Sequence, residues 1–228
     1  MKTLATAALL LSAALPSTAG ELAVEAQLGY FDMAAQKSAT ALFGSSAGVT
    51  FGGAARYTVW RGAFVSAGAR TFSRDGERVF LTAPGAPIQK LGFPVSLKLT
   101  QLLLSAGYRF RHGKLVVPYA SIGAAITSYS ETSDVAGQSF GDDGSKTGFV
   151  GAAGVEVGRG LLRGGVELGY SSAPGAAGFG GVSKIYGEDD LGGFHVIGKV
   201  QVAFGIGKSK TTRPRRRGGH RSRRGPSS

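Results

Sequence analysis

Leu162-Arg163-Gly164-Gly165-Val166-Glu167-Leu168-Gly169-Tyr170 (LRGGVELGY) decides the fold. In an extended chain successive side chains point to opposite faces. Leu162, Val166, Leu168 and Tyr170 then share one face, and Arg163 and Glu167 share the other. A period of two with all the charge on one side reads as a strand, not a helix.

The same alternation recurs along the chain. In ELAVEAQLGYF, Leu22, Val24, Ala26, Leu28 and Tyr30 oppose Glu21, Glu25 and Gln27. In GVTFGGAARYTVW, Val49, Phe51, Tyr57 and Val59 oppose Thr50 and Arg56. AFVSAGARTF sets Val65, Ala67 and Ala69 against Ser66 and Arg70. LTQLLLSAGYRF sets Leu102, Leu104, Ala106, Tyr108 and Phe110 against Gln101 and Arg109. FVGAAGVEV sets Phe149, Val155 and Val157 against Glu156. GGFHVIGKVQVAF sets Phe194, Val196, Val200, Val202 and Phe204 against His195, Lys199 and Gln201. LVVPYASIGAAITSY is uncharged, and its faces stay unassigned. With the opening stretch this makes eight strands of about 10–15 residues, near the length a tilted strand needs to cross a bilayer.

The connections alternate in length. Arg61-Gly62, Arg111–Lys114 and Arg159-Gly160 are short. DMAAQKSATALFGS, SRDGERVFLTAPGAPIQKLGFP, ETSDVAGQSFGDDGSK and SSAPGAAGFGGVSKIYGEDDLG are long. Transmembrane barrels have this form, with short periplasmic turns and long outer loops. Lipid leaves no backbone group unpaired, so a sheet within it must close on itself. The expected fold is all-β: an eight-stranded antiparallel up-and-down transmembrane β-barrel whose interior is filled by side chains.

The charged faces then point inward. They supply a candidate ion-pair network of Glu25, Arg56, Arg70, Arg109, Glu156, Arg163, Glu167 and Lys199. Gly29, Gly107, Gly123, Gly154, Gly165 and Gly169 share that face and leave room for long side chains. In seven strands the outward face holds no charge but Lys98, where a strand end lets it snorkel. Tyr30, Phe31, Trp60, Phe72, Phe110, Tyr129, Phe149, Tyr170, Phe194 and Phe204 suit the aromatic girdles at the two interfaces.

The two ends of the chain read differently. Lys2, the apolar run Leu4–Pro16 and the small residues around Ala19 and Gly20 have the pattern of a cleaved secretory signal, residues 1–20. The run is too short to span a bilayer as a helix. The barrel is expected over 21–205, and 206–228 is expected to be a disordered basic periplasmic tail. Of the formal charge of +12, nine units sit from Lys208 onward with no acid among them. They include Arg213, Arg215, Arg216, Arg217, Arg221, Arg223 and Arg224. Export removes these arginines from nucleic acid. Their expected partners are anionic lipid head groups or peptidoglycan. Cysteine is absent, which excludes disulfides and thiolate metal sites.

With its leader, its Ala/Gly-laced strands, the LLLSAGYRF and VPYASIGAAI hairpin and a last strand ending at Phe204, the chain resembles a family. That family is the small outer-membrane β-barrel proteins of Gram-negative bacteria, of the porin-like, outer membrane protein A type. The resemblance covers roughly residues 21–205. It implies residence in the cell outer membrane, in contact with lipid and lipopolysaccharide. Members end on an aromatic residue of the last strand, whereas this chain runs on past Phe204 for 24 residues.

No constellation for chemistry emerges, and neither catalytic residues nor cofactor or metal are expected. His112 falls in a turn and His220 in the tail. His195 faces inward beside Glu and Lys without a serine two residues on. Asp142-Asp143 and Glu188-Asp189-Asp190 are read as solvated loop charges before a cation site. Gly-Phe-Gly-Gly at 178–181 lacks the Lys-Ser/Thr of a phosphate loop. The expected role is envelope structure, surface interaction or passage of small solutes, with the inward charges a plug before a path. The alternative is an exported soluble barrel of lipocalin type that holds an apolar ligand and turns its charges outward.

Overall fold

The computed structural model describes residues 20–110, 114–135, 138–177 and 181–206. Eight strands follow one another: β1 (Gly20–Met33), β2 (Ala47–Trp60), β3 (Ala63–Phe80), β4 (Gln89–Arg109), β5 (Val116–Val135), β6 (Gln138–Arg159), β7 (Leu162–Ser171) and β8 (Gly193–Ile206). Each pairs antiparallel with the next. β8 returns to β1 in a register that sets Val202 opposite Val24, and the sheet closes. The β2–β3 turn is a two-residue hairpin in which Arg61 (φ 45°) and Gly62 (φ 103°) both have positive φ. A tight turn of this hand matches the twist of the flanking strands.

The faces divide by chemistry. Leu28, Leu104, Ile122, Val166 and Val200 are all more than half exposed. Glu25, Arg56, Arg109, Glu156, Glu167 and Lys199 are each buried to within 6%. This is the reverse of a soluble barrel and excludes the lipocalin alternative. A continuous apolar exterior of this size is stable only against hydrocarbon. Tyr119, Ala125 and Thr127 of β5 point inward and Ile122 outward, which assigns the strand whose uncharged sequence left its faces open.

Three expectations are corrected. The segments after the third and fifth strands are not loops. β3 and β4 run on as a hairpin to Phe80 and from Gln89, and β5 and β6 continue to Val135 and from Gln138. These strands have 18 to 22 residues, about twice the 9–11 that cross a bilayer. They therefore rise beyond the membrane at the long-loop end. The segments after β1 and β7 instead carry two helices, α1 (Gln36–Phe43) and α2 (Gly181–Tyr186). Finally, Tyr129, which packs against the inner apolar cluster, is not a girdle residue, and neither are Phe31 and Phe72. Both are 3% exposed and pack edge to face, with ring centroids 5.1 Å apart. With Met33, Leu97, Leu99, Ala173 and Leu191 they form an apolar layer across the lumen beneath α1. Tyr30, Trp60, Phe110, Phe149, Phe194 and Phe204 do lie on the outside.

Candidate functional site: the lumen and its mouth

The lumen is layered. At the short-turn end Glu21 accepts hydrogen bonds from Arg109 Nη1 (2.7 Å) and from both terminal nitrogens of Arg163 (2.6 and 2.5 Å). Above it lies a denser cluster. Glu156 bridges Arg56, Arg109 Nη2 (2.9 Å) and Lys199 Nζ (3.6 Å). Glu25 faces Arg56 (3.4 Å) and Lys199 (3.6 Å). Glu167 faces Lys199 (3.5 Å), His195 (3.6 Å) and Arg70 (3.8 Å). The Tyr119 hydroxyl links the two halves: it accepts from Lys199 Nζ and donates to Glu167 Oε2, each at 2.6 Å. Its ring lies under both cations, 4.1 Å from Lys199 Nζ and 5.0 Å from Arg56 Cζ. Charges this deep are tolerable only when paired, and here the three central carboxylates are met by Arg56 of β2, Arg70 of β3, Arg109 of β4, Tyr119 of β5 and both His195 and Lys199 of β8.

Two glycines make the cluster possible. A methyl group on Gly154 would sit 2.5 Å from the Tyr119 hydroxyl, and one on Gly169 would overlap the His195 ring. Above the charges Gln101 donates to Ser171 Oγ (3.0 Å) and Thr127 Oγ1 (3.4 Å), and the Phe31–Phe72 layer follows. Two spaces among these side chains measure about 30 and 10 Å³. That is room for a water or two.

All eight charged residues expected in the lumen lie inside it, Arg163 less deeply than the others. Glu21 and Tyr119 belong to the same array and were not among them. Glu21 shares the parity of Glu25, which is the signal that finds it; Tyr119 lies on the uncharged strand. His195 is 1% exposed and is a member of the cluster. His112, His220 and the arginines of 213–224 lie outside the described residues.

The acidic loop residues have definite tasks. Glu188 accepts from the backbone N–H of Lys37 (3.1 Å) and of Ser38 (2.8 Å) and from Ser38 Oγ (2.7 Å), which caps the first turn of α1. Asp190 accepts from Ser172 Oγ and from the N–H groups of Ala173 and Gly192, at 2.9, 2.6 and 2.7 Å. Both carboxylates fasten the β7–β8 segment over the mouth. Among the described residues no group of three or more His, Cys, Asp or Glu is placed to hold a metal ion.

Above the apolar layer the mouth encloses a cavity of about 330 Å³. Its floor and one wall are Met33, Leu97, Leu42, Phe43, Val182 and Leu191. The tall hairpins also contribute Arg78, Tyr129, Glu131 and Asp142 to the lining.

Comparison with known proteins agrees with this architecture. Solved structures similar to it include the outer membrane protein OprG from Pseudomonas aeruginosa, at 13% identity and a TM-score of 0.54, with 82% of this chain and 96% of that chain covered. The Neisserial surface protein A, NspA, matches at 15% identity and a TM-score of 0.50, over 81% of this chain and 97% of that one. No curated protein matches the sequence. The family model for the outer membrane protein beta-barrel domain matches residues 4–159. With a closed eight-stranded barrel, an apolar exterior and a family match over more than half its length, the chain belongs to the outer membrane protein beta-barrel domain family and resides in the outer membrane.

Proposed function

We propose that this protein is a closed, non-conducting barrel without catalytic activity, which anchors a structured long-loop face at the cell surface. The observation that carries the proposal is the stack across the lumen. A charged cluster, a glutamine layer and an apolar layer follow one another, and the two spaces found among them are water-sized. An ion entering this path must break contacts to Glu156 or Glu167 and then cross Phe31, Phe72 and Leu99. Small-solute passage is the competing role, and planar-bilayer recording separates the two. Purified full-length protein is expected to give no steady conductance above that of the bare bilayer. Steady single-channel currents that disappear in Arg109→Ala or Glu167→Gln would sink the closed-barrel reading.

Two proposals rest on sequence alone. Residues 1–20 serve as a leader removed on export, so the intact mass of protein from membranes should correspond to a chain starting at Gly20 or Glu21. The seven arginines from Arg213 to Arg224 hold the periplasmic end to anionic head groups or the cell wall. On the outside, the apolar belt fits lipid and lipopolysaccharide acyl chains.

A further inference from the structure

The long-loop mouth holds a combination that neither a sealed barrel nor a passive anchor requires. Register sets Glu131 of β5 directly opposite Asp142 of β6, and both line the cavity. Like charges directly opposite on neighbouring strands destabilise a sheet. The cost is aggravated here because Glu131 is only partly exposed. Burial raises its carboxyl above the ordinary carboxylate value; Asp142 adds to the effect and Arg78 opposes it. Arg78 is the guanidinium of the lining, and its Nε donates to Ser133 Oγ at 2.8 Å. The lining thus combines two carboxylates and one guanidinium with the apolar side chains of Leu42, Phe43, Val182 and Leu191.

We propose that this cavity binds a small amphipathic organic cation, a primary amine on a compact apolar body. The ammonium sits between Glu131 and Asp142, and the apolar part lies against α1 and α2. Three features select this class. The volume of about 330 Å³ is within the range of small-molecule sites. At about 30 Å³ per water it has room for roughly ten non-hydrogen atoms. An ammonium donates up to three hydrogen bonds and relieves the repulsion between the facing carboxylates. A bare divalent ion is disfavoured, because calcium takes six to eight oxygen ligands and two thirds of the lining residues are aliphatic or aromatic. An anionic amphiphile would face a net negative wall.

The test uses the full-length protein in nanodiscs of zwitterionic phospholipid, titrated calorimetrically with 2-phenylethylamine, with empty discs as the blank. Phenylacetate and calcium chloride serve as the anionic and metal probes. Phenylethylamine should give saturable heat and phenylacetate none, and calcium at equal concentration should not displace the amine. Glu131→Gln and Asp142→Asn should each weaken the amine about tenfold, the effect of losing one charged contact. Ala177→Leu, which fills the cavity without altering charge, should abolish binding. Heat-shifted gel mobility verifies that each barrel is folded, and if Ala177→Leu fails that check the two charge variants decide alone. Equal or tighter binding of phenylacetate, displacement by calcium, or an unchanged amine affinity in both charge variants would overturn the assignment. None of these readouts depends on whether the lumen conducts.

Discussion

Glu156→Gln tests the physical core of the barrel. Glu156 is 1% exposed, and its two oxygens hold Arg56, Arg109 and Lys199. Glutamine has nearly the same shape but no charge, so the variant leaves space and backbone intact. The lumen holds five basic side chains (Arg56, Arg70, Arg109, Arg163 and Lys199) and four carboxylates (Glu21, Glu25, Glu156 and Glu167). Removing one carboxylate leaves five basic side chains against three, with Arg56 and Lys199 thrown back on Glu25 and Glu167. Taking one partner from a buried pair costs about 3–5 kcal/mol. With a urea slope of about 2 kcal/mol per molar, the unfolding midpoint should fall by about 2 M. Trp60 is the sole tryptophan and lies in the lipid-facing belt, so its fluorescence in lipid vesicles follows loss of the barrel directly. Glu77→Gln supplies the control. The Glu77–Lys90 pair spans 3.3 Å on an exposed hairpin, where pairs contribute about 0–1 kcal/mol. A shift below about 0.5 M for Glu156→Gln, or one no larger than the control's, would refute the claim that paired charge holds the lumen together.

Other outcomes follow from the same geometry. Because Glu131 has a raised pKa in the folded state, the native protein keeps that proton to higher pH than the unfolded chain. Its contribution therefore falls as pH rises through that range. Glu131→Gln should accordingly stabilise the barrel near neutrality in urea titrations, and the gain should shrink toward about pH 4, the ordinary glutamate range. Replacing Glu188 with alanine removes the cap from α1. A loss of about 1 kcal/mol of local stability should appear as faster amide exchange at Lys37 and Ser38, with the strands unaffected. Deleting residues 209–228 should abolish salt-sensitive retention on isolated cell wall while leaving heat-shifted gel mobility intact; equal retention would remove the proposed role of the arginines.

The barrel was legible wherever charge marked a face. Glu167 between Val166 and Leu168, and Lys199 beside Val200, are enough to orient β7 and β8, because hydrocarbon tolerates no charge on its side. Tyr119 escaped because β5 has no charged residue between Val116 and Ser130, and alternation among apolar and small residues does not orient a strand. Phe31 and Phe72 were assigned by type and not by parity. Each falls an even number of residues from an inward charge, Glu25 and Arg70 respectively, so the period-two rule already placed them inside. The rise of β3 to β6 above the membrane was hidden for a different reason. Once a hairpin leaves lipid, both of its faces meet water, and SRDGERVF and ETSDV carry charge on each. Such a strand has the composition of a loop. The helices were missed because α1 has eight residues and α2 six, too few for periodicity to register.

The closure described for the barrel ends where lipid ends. β2 pairs with β3 only as far as Phe72, and β7 with β6 only as far as Val150. Beyond those points β3 to β6 form an open four-stranded sheet, and α1 packs against part of its β3 margin, where a methyl group on Gly76 would overlap the Leu42 carbonyl oxygen. At a rise of about 3.3 Å per residue and a tilt near 45°, the eleven or so residues of β6 above the bilayer stand roughly 25 Å tall. The margins of an open sheet invite pairing with another chain. Arg74, Asp75 and Glu77 along one margin and Asp142, Asp143 and Lys146 along the other are charges of the kind that blunt such pairing.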